Sequence, residues 1–155
     1  MDNREVIGSW LSGPRAAAEE MGVEFGYRGE RLGLPEHGPG SIASVGRRLV
    51  ALFIDWILCV LIAYGLIAHR DYGASNPWAL VVFGALNVIA LSLVGSTPGK
   101  RLLGLRLVRL DGSRLMPLAV LLRTVLLLLV IPAVVWDRDG RGLHDKAAGS
   151  VEVRI

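Results

Sequence analysis

Cysteine occurs once, at Cys59, which excludes an internal disulfide and any thiolate metal cluster. Inside an apolar run, Cys59 reads as a small apolar filler. Charge is absent where it would normally break up hydrophobic sequence. Leu49 to Ala68 holds one charged residue, Asp55, and Trp78 to Val94 holds none, its strongly polar residue being Asn87. Both runs also lack the polar stripe at the helical period that a helix on a soluble core carries, so they read as membrane spans. The chain opens Met1-Asp2-Asn3-Arg4-Glu5 with no early apolar stretch. No cleavable signal peptide is therefore expected, and the first span itself directs insertion.

What is present fits a bilayer. Hydrophobic residues make up 52% of the 155 residues and the mean hydropathy is +0.48, well above the norm for soluble domains. As a helix, residues 49–68 would reach about 30 Å, the thickness of the hydrocarbon core. Residues 78–94 just meet the minimum length. A third run, residues 117–136, is long enough but contains Arg123 and Pro132. The expected fold class is an α-helical membrane protein with two clear transmembrane helices, a third apolar helix open to a break, and a small cytoplasmic β-hairpin or sheet.

Composition divides the chain at residue 45. Residues 1–45 are rich in Gly, Pro, Ser and charge and read as a mobile segment that cannot build a core alone, with a short helix near Pro14 to Met21. Its Trp10, Leu11, Phe25, Tyr27, Leu32 and Leu34 are candidates for contact with the membrane surface or a partner. Residues 46–155 form the membrane domain. Between the second and third runs, a loop carries Lys100, Arg101, Arg106, Arg109 and Arg114 against Asp111, and the positive-inside rule makes it cytoplasmic. Asp111-Gly112 is a hairpin-turn signal. The tail Ser150 to Ile155 alternates, with Val151, Val153 and Ile155 on one face and Glu152 and Arg154 on the other. A terminal strand needs a partner, and the strand-like stretch within the basic loop supplies one.

Arg47 and Arg48 put the N-terminus on the cytoplasmic side, and two spans bring the chain back there. The tail then has two arrangements open to it. Either the third segment breaks near Pro132 and returns, leaving the basic tail inside, or it crosses fully and the tail lies outside. Residues 1–46 hold seven carboxylates against four arginines, and residues 47–155 hold thirteen Lys and Arg against seven Asp and Glu. The basic excess thus sits beside the spans, where the expected partners are the bilayer and its anionic headgroups, and no nucleic acid is needed to explain it.

Arg48-Leu-Val-Ala51-Leu-Phe-Ile-Asp55, Thr97-Pro98-Gly99-Lys100-Arg101-Leu102-Leu103-Gly104, Leu122-Arg123-Thr124 and Arg141-Gly142-Leu143-His144-Asp145-Lys146-Ala147-Ala148-Gly149-Ser150 together resemble the RDD family of small bacterial membrane proteins, and the N-terminal stretch resembles its actinobacterial members. The resemblance implies a bacterial plasma-membrane location and marks Arg48, Asp55 and Asp145 as the family's polar residues. It implies no established activity.

An ionised carboxylate at the depth of Asp55, about 10 Å, costs roughly 2.5–3.5 kcal/mol, so Asp55 is expected to be protonated or paired. Its own helix offers no charge partner; the candidates across the bundle are Asn87 and Arg123, while Asp145 suits Arg48 at the interface. No catalytic or metal-ligating set is expected, and no cofactor. Residues 95–101 miss phosphate-loop spacing, residues 137–140 miss a calcium loop, and no nucleophile has a catalytic context. The expected function is a non-enzymatic accessory or assembly subunit of a larger membrane complex. The alternative is ion or small-solute transport by a homo-oligomer using Asp55.

Overall fold

The computed structural model describes residues 21–22, 26–68, 71–129, 135–137 and 139–155. The short helix expected near residues 14–21, the contacts of Trp10, Leu11 and Phe25, and the break at Pro132 fall wholly or mostly outside the described residues.

Helix α1, Val45–Ile62, begins after Ser44 in extended backbone and widens into π-type turns over Ala63–Ile67. Helix α2 is Tyr72–Leu93. Both start a few residues earlier than hydropathy suggests, because an apolar window marks what lipid can cover and not where helical hydrogen bonding begins. Gly95, at φ 75°, ends α2, its N–H reaching the carbonyls of Ala90 and Leu91 at 3.2 and 3.1 Å. This left-handed stop favours glycine.

The two helices present inverted faces. Ala51, Asp55, Cys59 and Ala63 on α1 and Ser75, Ala79, Phe83, Asn87 and Leu91 on α2 are buried, each set at four-residue intervals. Small and polar side chains occupy most of the contact, and close approach of the backbones follows. Phe53, Leu61, Leu66, Val81, Ile89 and Leu93 point outward. In each helix only 22% of the most apolar 18-residue window is buried, the reverse of a helix in a soluble core. Trp56 meets Phe83 edge to face with ring centroids 5.8 Å apart.

A five-residue helix, α3 (Pro98–Leu102), follows α2 and leads into strand β1 (Leu105–Arg109). Asp111-Gly112 makes a turn in which the Arg109 N–H reaches the Ser113 carbonyl at 2.9 Å, yet no strand follows it. Strand β2 (Ser150–Arg154) takes that place, antiparallel to β1 with Leu107 opposite Glu152. Residues 40–43, before the expected domain boundary, lie along the other edge of β2, with the Ala43 N–H donating to the Glu152 carbonyl at 2.9 Å and the Arg154 N–H to the Ser41 carbonyl at 2.9 Å.

Helix α4 is Pro117–Leu128, with Pro117 in its first turn. Twelve residues rise about 18 Å, too little to cross a bilayer. The chain then reaches the short helix α5 (Leu143–Ala147) and β2. Since β2 joins both β1 and residues 40–43, the start of α1, the loop after α2 and the tail all lie at one end of the molecule. The tail therefore lies beside the loop after α2 and not at the far end of the molecule. The physical reason is that β2 finds its hydrogen-bond partners at that end. Two small cores pack against β1: Leu91, Leu107, Leu115 and Val120 form one, and Ala43, Ala51 and Leu105 the other.

Candidate functional site

Asp55 does not pair with Asn87 or Arg123. Its Oδ1 accepts the Gly99 N–H at 2.7 Å and its Oδ2 accepts the Thr97 hydroxyl at 2.5 Å. The sequence Thr97-Pro98-Gly99 makes this possible. Proline cannot continue α2 but suits the first turn of α3, which leaves the Gly99 N–H free to face α1. Gly99 also permits contact that a side chain would block: a Cβ there would lie 2.3 Å from the Ala51 carbonyl oxygen. Asn87 instead donates to the Phe83 carbonyl of its own helix at 3.0 Å.

Below Asp55, five charged side chains from five segments converge. Arg123 of α4 donates through Nε to Asp145 Oδ1 at 2.6 Å and through Nη2 to Glu152 Oε1. Lys100 Nζ meets the same Glu152 oxygen at 2.6 Å. Arg48 is looser, 3.7 Å from Asp145 Oδ2 and 3.6 Å from Glu152 Oε2, while its Nη1 donates to the Gly140 carbonyl at 2.9 Å. Ser150 Oγ lies 3.3 Å from Asp145 Oδ1, and His144 Nε2 lies 3.6 Å from Asp145 Oδ2.

Burial pushes the Glu152 carboxyl up, but Lys100, then Arg123 and Arg48, outweigh it and hold the group well below the ordinary glutamate range. For Lys100, burial and the neighbouring Arg123 push the ammonium down, and Glu152 restores only part of that loss. The two partners thus point opposite ways about one ion pair. The disagreement follows from sharing: Glu152 is served by three cations, whereas Lys100 competes with Arg123 for the same oxygen. Glu152 is therefore firmly ionised and Lys100 is the softest cation of the set.

The cluster floors a cavity of about 700 Å³. Its walls are apolar, with Phe53 and Trp56 from α1, Leu80 and Phe83 from α2, and Leu127 and Leu128 from α4.

Apart from Glu152, the charged residues of the cluster fall within one known sequence pattern. A model of the RDD family matches residues 42–149, well over half the chain. The chain belongs to the RDD family. No curated protein and no solved structure matches it. Of the residues singled out from sequence, this RDD domain brings Arg48, Asp145, Arg123 and Lys100 into one cluster, with Asp55 on the same cavity. Arg101, Arg106 and Arg109 are exposed and stay outside it. Lys100, expected to face headgroups, is buried. Glu152, expected on the polar face of an alternating strand, is the centre of the cluster and lies beyond the stretch that matches the family. Charge balance was the available signal for it: Arg48, Lys100 and Arg123 are three cations, and with Asp55 committed elsewhere Asp145 alone cannot serve them. Among the described residues no three His, Cys, Asp or Glu side chains gather to hold a metal ion.

Removing the Asp55 carboxylate leaves a buried N–H and a hydroxyl without acceptors. Asp55→Ala is expected to lower stability by about 2–4 kcal/mol, measured by thermal unfolding in detergent. Asp55→Asn retains one acceptor and should cost less. In a double-mutant cycle Asp55→Ala should couple to Thr97→Val. Equal stability of Asp55→Ala and the natural chain would remove the structural role of this carboxylate.

Proposed function

We propose that this protein is an integral membrane protein of the bacterial plasma membrane, crossing it with α1 and α2, its N-terminal end, basic loop and tail on the cytoplasmic side, and that it serves as a non-enzymatic assembly subunit for larger membrane proteins. The outward-facing apolar surfaces of α1 and α2 support the membrane location. The assembly reading rests chiefly on one observation: both Asp55 oxygens are engaged in hydrogen bonds that tie α3 to α1, and the charged cluster below ties α1, α3, α4 and the tail together. These ionisable groups hold segments in place. Both Asp55 oxygens are already occupied by donors of this chain, Thr97 and Gly99, and that structural use weighs against transport.

Reporter fusions after Asp71 and after Ser113 test the topology. The first should report the outer side and the second the cytoplasm, and a cytoplasmic signal from the fusion at Asp71 would reverse the orientation. Crosslinking in intact membranes before mild-detergent purification tests assembly. Recovery solely as free monomer at every crosslinker length would refute it.

A further inference from the structure

The charged cluster is not closed upon itself. Arg48 Nε and Arg123 Nη1 are donors, and Asp145 Oδ2 and Glu152 Oε2 are acceptors, that are buried without a hydrogen-bond partner among the described residues. All four residues line the cavity, and Arg123 and Asp145 are each 99% buried, with 1% side-chain exposure. Buried polar groups left this way are costly and call for a complement. Ordered water can satisfy a few such atoms, but a space of about 700 Å³ walled by Phe53, Leu80, Phe83 and Leu128 has the size and apolar lining of a ligand site. Phe53, Leu80 and Leu128 are also exposed on the outer surface of their helices, so the apolar walls are continuous with the face that meets lipid.

We propose that this cavity binds an amphiphile whose apolar chain lies between α1, α2 and α4 and whose headgroup combines an anionic oxygen with hydroxyl or ammonium donors. The anionic oxygen answers the two guanidinium donors, and the headgroup donors answer Asp145 Oδ2 and Glu152 Oε2, which their neighbouring cations approach only at 3.6–3.7 Å, beyond hydrogen-bond distance. A phosphoglyceride bearing ethanolamine or glycerol has both features. One bearing choline has the phosphate and lacks the donors. The inference rests on the membrane location proposed above and is independent of the assembly role.

The probe is a mixture of phosphatidylethanolamine, phosphatidylglycerol and phosphatidylcholine with identical acyl chains, in equal amounts, added to the full chain in a maltoside detergent, with retained lipid counted by native mass spectrometry. Retention of the ethanolamine or glycerol lipid should exceed that of the choline lipid by about tenfold. Equal retention of all three would overturn headgroup recognition. Displacement of the bound lipid by inorganic phosphate at a similar concentration would identify the free anion as the ligand and overturn the amphiphile. Leu80→Trp fills the apolar wall without touching the cluster. It should reduce retention by about tenfold at unchanged thermal stability, and undiminished retention would move the site elsewhere. Carbonate extraction of membranes keeps the two readings apart. Release of the chain refutes the membrane location, whereas a chain that resists extraction and shows no lipid preference refutes the cavity alone.

Discussion

Glu152→Gln is expected to lower stability by about 3–5 kcal/mol, the range found when one member of a buried ion cluster is removed and its partners are left uncompensated. Against a total of about 5–15 kcal/mol, that is enough to unfold much of the protein on mild heating. Three cations depend on this carboxylate: Lys100 and Arg123 on one oxygen, Arg48 near the other. Lys100→Met should cost less, because burial already disfavours its charge, and combined with Glu152→Gln it should recover part of the loss, since one stranded cation is gone. The pH dependence has a defined sign. The folded-state pKa of Glu152 lies below its ordinary value of 4.5, so its stabilisation is present above that value and fades as pH falls from there toward the depressed folded value. Thermal melts in detergent across that acidic range should show the natural chain losing stability more steeply than Glu152→Gln. A mutant within about 1 kcal/mol of the natural chain would mean the cluster behaves like a solvent-screened surface pair.

How much of this was legible in the sequence depends on which physical signal each residue leaves there. The two long helices declared themselves through uninterrupted apolar runs, and the pairing of the tail with the basic loop through the alternation of Val151, Val153 and their neighbours. That same alternation concealed Glu152. A polar residue every second position ordinarily means a solvated face, but residues 40–43 cover one edge of β2 while α3 and α4 cover the face on which Glu152 sits. Lys100 was concealed for a related reason, as one member of a basic run whose other members are exposed. The partners of Asp55 left no charge signal at all. A search for a cation finds Arg123, whereas the groups in contact are a backbone N–H and a hydroxyl, supplied by the motif Thr97-Pro98-Gly99. In the third apolar run the helix stops at Leu128, close to the end near Val130 that the sequence allows, and β2 pairs beside the loop after α2.

Gly99→Ala is expected to be as damaging as any charge removal, although it adds a single methyl group. The added Cβ would stand 2.3 Å from the Ala51 carbonyl oxygen and 3.0 Å from the Asp55 carboxyl carbon. The nearer obstacle is helix backbone, which cannot rotate away, so α3 itself must retreat from α1. Retreat stretches the Gly99 N–H contact with Asp55 and shifts Lys100, the next residue, away from Glu152. Overpacking costs about 1–3 kcal/mol and loss of a buried hydrogen bond about 1–3 kcal/mol more, giving roughly 2–6 kcal/mol together. Gly46→Ala supplies the contrast. Gly46 lies inside α1 with nothing within 4 Å of a Cβ there, so alanine should be neutral or stabilising by up to about 1 kcal/mol through its helix propensity. Nor should Asp55→Ala rescue Gly99→Ala, because removing the carboxylate leaves the Ala51 carbonyl where it is. Thermal unfolding of the four chains in one detergent separates these cases: a Gly99→Ala protein as stable as Gly46→Ala, or one restored by Asp55→Ala, would show that α1 and α3 are not in backbone contact.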